Sequence, residues 1–158
     1  MLVSLTWPLA LAVSISVWVG GSVAIGLWAA RQPASRFRCT GWLLRLRPWE
    51  AGGRAYERWL RIKAWKDVLP EAGSWLGGES KRALPTHDRA GLTRFVPELG
   101  RAETVHWVSL ATGPLHLLWC PTWLGLCMVA FGFGNLPFVA VQRYNRARIQ
   151  RALARGRR

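Results

Sequence analysis

Glu103 and His106 are the two residues of this chain whose types and spacing best suit acid–base chemistry. Three positions apart on a helix, they lie on one face, where the carboxylate can fix the imidazole tautomer and raise its basicity. A histidine held in this way can serve as general base toward a hydroxyl group. The structural alternative is that Glu103 pairs with Arg101 or Lys66 and that His106 is a polar residue at the edge of a membrane.

A second group of polar side chains could bind a substrate. Arg143 and Arg146 could hold phosphate groups or a developing oxyanion, and Asn145 could donate a hydrogen bond to either. Asn135 could also bind substrate. The other candidates for substrate contacts are Arg31, Trp65 and Lys66. The basic residues among them are explained equally well by contact with anionic lipid, and the tryptophan by an aromatic belt at a membrane interface.

Other chemistry is disfavoured by the motifs that the sequence lacks. Glu-x-x-His is half of the paired motif of di-iron bundles, but it occurs once here, and His87 and His116 are expected to lie far from it, with His116 at an interface. We therefore expect no metal. The chain has no GxSxG elbow, P-loop or GxGxxG, and no histidine with an aspartate five residues later. The three cysteines, which form no CxxC pair, are expected to be buried, inert thiols.

Charge is strongly segregated along the 158 residues, which carry a formal net charge of +14. Residues 1–30 and 104–142 contain no Lys, Arg, Asp or Glu, whereas 31–48 and 143–158 contain Arg and no acid. Both uncharged runs exceed the roughly 20 residues that a membrane helix needs. This pattern excludes an ordinary water-soluble globule. It also argues against nucleic-acid binding, because the arginines lie just outside the apolar runs, where anionic lipid attracts them.

The first apolar run predicts a membrane helix at about residues 9–30. A cleaved signal peptide is the competing interpretation. However, no Lys or Arg precedes the run, and its apolar core is longer than the roughly 7–15 residues typical of signal peptides. We therefore expect a retained membrane anchor.

The second run, 104–142, would be about 58 Å long as a single helix and must therefore turn. Pro114 and Pro121 mark the turn, and Pro137 could kink the chain after Asn135. The prediction is a hairpin whose first arm, 104–118, is short enough to be re-entrant instead of crossing. Folding this hairpin would bring Glu103 and His106 to the same depth as the arginines that follow the second arm.

The orientation follows from the basic segments 31–47 and 143–158, which the positive-inside rule places in the cytoplasm. Three crossings satisfy this rule with the N-terminus outside and the C-terminus cytoplasmic. We expect a multi-pass protein of the inner, cytoplasmic membrane.

The segment 31–102 between the anchors is expected to be cytoplasmic and interfacial. Its strongest helical pattern, 49–69, has a broad aromatic face flanked by lysines, which predicts an amphipathic helix in the headgroup layer. Packing against other cytoplasmic residues is the alternative. Residues 84–100, interrupted by proline and glycine, are predicted to be a loop with short helical pieces. The expected fold is thus all-α: about three transmembrane helices, an interfacial helix, a small cytoplasmic cap and a basic tail from 143, forming a single membrane domain.

Several short motifs occur in a characteristic order along nearly the whole chain. They are Arg31-x-Pro33; Trp49-Glu50-x-x-Gly53, followed by Tyr56, Trp59, Lys63 and Trp65-Lys66; Arg101-Ala102-Glu103-x-x-His106-Trp107; and Asn135-x-Pro137 with Val141-Gln142-Arg143-Tyr144-Asn145-Arg146. In these motifs the chain resembles the glycosyl-4,4′-diaponeurosporenoate acyltransferase family, small integral membrane proteins of bacterial carotenoid pathways. Residues 71–100 and the Arg-rich tail depart from the family pattern.

The resemblance implies transfer of a fatty acyl group, with acyl-CoA as the donor substrate and no cofactor, to a sugar hydroxyl of a glycosylated carotenoid. It supplies no catalytic residues, so His106 as base and Glu103 as its partner rest on the chemistry above. Two alternatives remain: a non-enzymatic membrane subunit or scaffold, and an acyltransferase for another isoprenoid glycolipid or with a phospholipid-derived donor. The expected partners are membrane lipids, the acyl donor and the glycolipid acceptor.

Overall fold

The computed structural model describes residues 5–38, 41–70 and 88–155. Across these ranges the regular elements are α-helices and short 3₁₀-helices without a β-strand, which confirms the all-α prediction. The α-helices are α1 (Trp7–Arg31), α2 (Arg54–Trp59), α3 (Arg89–Thr112), α4 (Thr122–Phe133) and α5 (Leu136–Arg155). The chain divides into an apolar unit, Met1–Arg31 with Val105–Pro137, and a polar unit, Gln32–Thr104 with Phe138–Arg158.

The apolar unit has Arg31, the last residue of α1, as the sole Lys, Arg, Asp or Glu among its described residues. It contains α1, the end of α3, a 3₁₀-helix at Gly113–Leu118, and α4. The chain turns at the two prolines that marked the expected turn in the sequence. Pro114 lies in the first turn of the 3₁₀-helix, and Pro121 immediately precedes α4. Proline suits both positions because it disrupts a helix interior but is tolerated at a helix start.

The hairpin lies alongside α1 within the apolar unit. Near its tip, Cys120 Sγ is 3.3 Å from the Oγ of Ser14 in the N-terminal half of α1. At the other end, Val108 and Trp28, near the C-terminal end of α1, line one shallow groove. The chain therefore turns back in this region, with the tip of the turn beside the N-terminal half of α1, and the crossing of a membrane by this hairpin stays a prediction.

Two stretches are long and apolar enough to cross a membrane by length and composition: α1 and Thr122–Arg155. In their most apolar windows only 11% and 22% of the residues are buried inside the protein. The core helix of a water-soluble protein would instead be mostly buried, so this exposure favours contact with lipid. The first hairpin arm, 104–118, is not one of these stretches, and the predicted third span is not confirmed.

The predicted amphipathic helix at 49–69 is wrong. The backbone takes positive φ at Ala51, Gly52 and Gly53 and again at Arg61, which interrupts a right-handed helix. What forms is a 3₁₀-helix at Pro48–Gly53, the short α2, and 3₁₀ turns at Ile62–Ala64 and Lys66–Val68. A further 3₁₀-helix, Ala34–Phe37, precedes them in the polar unit.

The loop predicted for 84–100 is also wrong from Arg89 onward, because α3 begins there; 84–87 lie outside the described residues. Pro97 lies inside α3 and removes one backbone hydrogen bond from it. Three apolar residues at helical spacing, Leu92, Phe95 and Leu99, are buried in a cluster with Ile149 of α5. This packing offsets the bond lost at the proline.

The second hairpin arm breaks between α4 and α5, at residues 134–135, as Pro137 predicted. α5 continues into the predicted basic tail as far as Arg155, and most of its side chains from 143 to 149 are buried. Apolar partners such as Tyr56 and Ile62 pack against this stretch of α5. This packing explains why the stretch is helical and largely buried; its cytoplasmic location stays a prediction.

Two smaller expectations have mixed outcomes. Cys120 is buried as predicted, whereas Cys127 is exposed on α4, and Cys39 lies outside the described residues. His116 is completely buried at the hairpin turn, and its position at an interface stays a prediction. A neutral imidazole can be buried there because its Nδ1 bonds to backbone carbonyl oxygens.

Candidate functional site

Arg143 of α5 lies inside the polar unit with all five of its N–H donors hydrogen-bonded. Nη2 donates to Oε1 of Glu50 at 2.6 Å, and Nε donates to Oε2 of the same carboxylate at 3.3 Å. Nη1 donates to Oε1 of Glu103 at 2.8 Å. The other two donors bond to the backbone carbonyls of Leu43 at 3.0 Å and Arg45 at 2.9 Å. A guanidinium has five donors, so this one has none left for a phosphate or an oxyanion.

Glu50, which has 1% of its surface exposed, is held by the turn that precedes α2. Its Oε1 accepts from the backbone N–H of Arg47 at 2.7 Å, and its Oε2 accepts from the hydroxyl of Tyr56 at 2.9 Å. The turn packs closely on α5: a Cβ at Gly53 would be 3.2 Å from Cδ2 of Tyr144. With φ at +94°, this position also favours glycine on conformational grounds.

Glu103 and Arg146 form a second buried ion pair in the polar unit. Nη2 of Arg146 is 2.7 Å from Oε2 of Glu103, and both side chains are fully buried. With Glu50 and Arg143 they make a group of four charges whose formal sum is zero, which lowers the cost of burying them. Nε and Nη1 of Arg146 have no hydrogen-bond partner among the described residues. Arg146 therefore has N–H donors available for an anionic ligand.

Two tyrosines extend this network. Tyr144 donates its hydroxyl proton to Oε1 of Glu57 at 2.9 Å, and Lys63 pairs with Oε2 of the same carboxylate at 2.8 Å. The hydrogen bond from Lys63 lowers the pKa of Glu57. Burial, reinforced by the neighbouring Glu50 carboxylate, raises the pKa of Tyr56. Tyr56 is therefore a neutral hydrogen-bond donor at physiological pH.

His106 lies in the apolar unit, half-buried, with Asn135 as a partner. Its Nδ1 is 3.1 Å from Oδ1 of Asn135. The Nδ2 of Asn135 donates to the carbonyl of Gly132 at 3.1 Å, which fixes the orientation of the amide. Because Oδ1 can only accept, the proton of the His106 ring is on Nδ1. The neutral ring then has its lone pair on Nε2, as a general base requires.

The remaining candidates are placed as follows. Asn145 is buried in the polar unit. Trp65 is half-buried against that unit's hydrophobic cluster, and Lys66 pairs with its neighbour Asp67. Arg31 is exposed at the end of α1. A contact between each of these residues and the substrate stays a prediction.

The structure thus joins the predicted residues into two sets. Glu103, Arg143 and Arg146 meet in the polar unit, and His106 meets Asn135 in the apolar unit. Sequence reasoning missed Glu50, because its spacing relative to Arg54, Glu57 and Arg61 is typical of a solvated helix face. The motif around Trp49-Glu50 in the family resemblance was the one signal that could have identified it.

Comparison with known proteins identifies one family and a set of relatives. The family model described as glycosyl-4,4′-diaponeurosporenoate acyltransferase matches residues 40–155. A protein of that name from Staphylococcus haemolyticus (strain JCSC1435) is 27% identical over 140 residues, which cover 84% of this chain and 78% of the relative. One from Staphylococcus aureus (strain USA300) is 24% identical over 144 residues, covering 86% and 83%. No solved structure gives a significant match.

Proposed function

Because the chain belongs to the glycosyl-4,4′-diaponeurosporenoate acyltransferase family, we propose that it moves a fatty acyl group from acyl-CoA to a sugar hydroxyl of a glycosylated carotenoid. The family match over residues 40–155 is the observation on which this proposal rests. The relatives are named acyltransferases, so the chain is an enzyme of that type and not a scaffold. The family name specifies the glycosylated carotenoid acceptor, whereas acyl-CoA as the donor is part of the proposal and not of that name.

His106 is the proposed general base. As the hydroxyl oxygen attacks the thioester carbonyl carbon, its proton passes to Nε2 of His106. The carbon–sulfur bond then breaks, and the proton is returned to the departing thiolate. The hydrogen bond to Asn135 supports this role, because it orients the ring and puts its proton on Nδ1. A base positioned in this way typically contributes 10²- to 10⁴-fold in rate.

Arg146 is the proposed anion-binding residue, for the phosphates of the donor or the oxyanion of the reaction. Its buried Nε and Nη1 lack partners among the described residues, whereas the donors of Arg143 are all used. Glu103, which pairs with both arginines, positions them. We retain Asn145, Trp65, Lys66 and Arg31 as further candidates for substrate contact.

We also propose that the protein is a multi-pass protein of the cytoplasmic membrane with its N-terminus outside. The exposed apolar surfaces of the two membrane-length stretches support insertion in lipid. The hairpin supports the orientation, because Val108 of its first arm lies beside Trp28, near the C-terminal end of α1, whereas Cys120 at its tip lies beside Ser14. The basic segments that follow α1 and the hairpin would then emerge on one side, as the positive-inside rule requires.

The test is an acyl-transfer assay with the purified full-length protein in detergent. Acyl-CoA with a radiolabelled acyl chain is supplied together with a glycosylated C30 carotenoid, and a parallel reaction contains the same carotenoid without its sugar. We expect label in a product that releases a fatty acid on mild alkaline hydrolysis, only when the sugar is present. Label transferred from a phospholipid donor but not from acyl-CoA would contradict the proposed donor, and equal labelling of the sugar-free carotenoid would contradict the proposed acceptor.

A further inference from the structure

His116, which has no part in the proposed transfer, is a fully buried imidazole at the tip of the hairpin in the apolar unit. It lies in the 3₁₀-helix Gly113–Leu118, and its ring contacts two tryptophans. The ring of Trp18 on α1 is stacked at 5.3 Å with an interplanar angle of 16°, and that of Trp119 lies at 4.9 Å.

The tautomer of His116 is fixed by the backbone. Nδ1 lies 3.0 Å from the carbonyl oxygen of Thr112 and 3.2 Å from that of Gly113, and since carbonyl oxygens only accept, Nδ1 carries the proton. The described part of the apolar unit has no carboxylate that could stabilise a buried imidazolium, so the ring is neutral. Nε2 therefore presents a lone pair, and it has no hydrogen-bond partner among the described residues.

The stacked neighbour presents the complementary group. Nε1–H of Trp18 is also buried and has no acceptor within the residues that the structure describes. Stacking keeps the in-plane lone pair of one ring from pointing at the N–H of the other, so the two groups do not satisfy each other directly. One acceptor and one donor thus lie on adjacent rings, and buried polar groups in proteins are nearly always paired.

We propose that these two atoms bind a single hydroxyl group, which accepts from Trp18 Nε1–H and donates its proton to His116 Nε2. A hydroxyl is the group that fits, because it combines donor and acceptor on one oxygen. An ether or carbonyl oxygen would pair with Trp18 alone, and an ammonium with His116 alone. The site would be separate from the residues assigned to acyl transfer, and it does not depend on that assignment.

The surroundings indicate where the hydroxyl comes from. Trp18 is only half-buried, and its edge contact Phe131, at 5.1 Å, is largely exposed on the outer surface of the apolar unit. A hydroxyl-bearing amphiphile could therefore lay its chain along this surface and direct its hydroxyl inward past Trp18. A water molecule would offer the same two hydrogen bonds, and the experiment must separate these two sources.

The test uses the full-length protein, ¹⁵N-labelled at histidine, in detergent micelles, with the His116 Nε2 resonance assigned by His116→Phe. The probes are 1-dodecanol and its methyl ether, which differ in the hydroxyl proton. We expect dodecanol to move the Nε2 resonance in the direction of hydrogen bonding and the ether to leave it unchanged. If the chemical shift of Nε2 already indicates a hydrogen bond without probe, and dodecanol does not change it, the result would support the same hydroxyl site with water as its occupant.

The variant Trp18→Phe keeps the ring and removes the donor. It should weaken dodecanol binding by about fivefold, as expected for the loss of one hydrogen bond. If water occupies the site, the variant should instead move the Nε2 chemical shift toward that of a nitrogen without a hydrogen bond. A resonance at the position of a free lone pair in every sample would overturn the proposal. So would identical responses to dodecanol and its ether, a comparison made on the unaltered protein and therefore independent of whether a variant folds.

Discussion

Arg143 donates from Nη2 to Oε1 of Glu50 at 2.6 Å, and this bond joins residues 93 positions apart in the chain. It links α5 to the turn before α2 in the polar unit, and both side chains are almost completely buried. Removing one partner of such a pair leaves the other charge buried without compensation, which typically costs about 3–5 kcal/mol. The pair is therefore expected to be essential to the stability of this unit.

Glu50→Gln and Arg143→Gln should each lower the free energy of unfolding by about 3 kcal/mol or more, measured by denaturant titration of the full-length protein in detergent. Arg58→Gln, at an exposed position of α2, is the matched control and should stay within about 0.5 kcal/mol of the natural protein. If Glu50→Gln unfolded at the same denaturant concentration as Arg58→Gln, the buried pair would not have the structural role described here.

Gly53→Ala should destabilise the same turn by about 1–2 kcal/mol. The φ of +94° is unfavourable for alanine, and the new Cβ would lie 3.2 Å from the Tyr144 ring. Gly41→Ala is the control, since a Cβ there meets nothing within 4 Å. The midpoints of unfolding of the two variants, compared under one set of conditions, check the prediction. Equal midpoints would show that the turn does not approach α5 as closely as described.

Tyr56 should resist ionisation at alkaline pH. Its pKa is raised by burial and by Glu50, so the folded protein favours the neutral phenol. The stabilisation linked to this shift is complete below the ordinary tyrosine pKa of 10.0 and is lost as the pH rises above it through the raised value. The chain has two tyrosines, so the ultraviolet absorbance of the Tyr144→Phe variant follows Tyr56 alone. A simple titration centred near pH 10 in the folded protein would contradict the buried hydrogen bond to Glu50.

Arg146→Lys should reduce acyl transfer more than it reduces stability. Lysine keeps the positive charge beside Glu103 but loses the Nε and Nη1 donors, which we assign to an anion. If the anion is the phosphate of the donor, KM for acyl-CoA should rise by about tenfold or more, and if it is the oxyanion, kcat should fall instead. Kinetics unchanged by this variant, with the fold retained, would remove Arg146 from the substrate site.

Much of this arrangement could be predicted from the sequence, because charge-free runs and prolines act locally. The apolar stretches, the turn near Pro114 and Pro121, and the meeting of Glu103 with Arg143 all follow from such patterns. The predictions that were wrong concerned segments whose structure depends on tertiary contacts. The aromatic and charged pattern at 49–69 favoured one helix, but the positive φ values at 51–53 bend the chain so that Glu50 faces inward. A regular spacing of charges cannot distinguish a solvated carboxylate from one that is buried against arginine.

The most direct test of the proposed chemistry compares acyl transfer by His106→Ala and Asn135→Ala with transfer by the unaltered protein. Each variant must first show the same helical circular-dichroism signal and the same size of protein–detergent complex as the unaltered protein. Loss of the base should reduce kcat by about 10²- to 10⁴-fold. Loss of its orienting amide should have a smaller effect in the same direction. Transfer by His106→Ala at the unaltered rate would contradict the assignment of His106 as the general base.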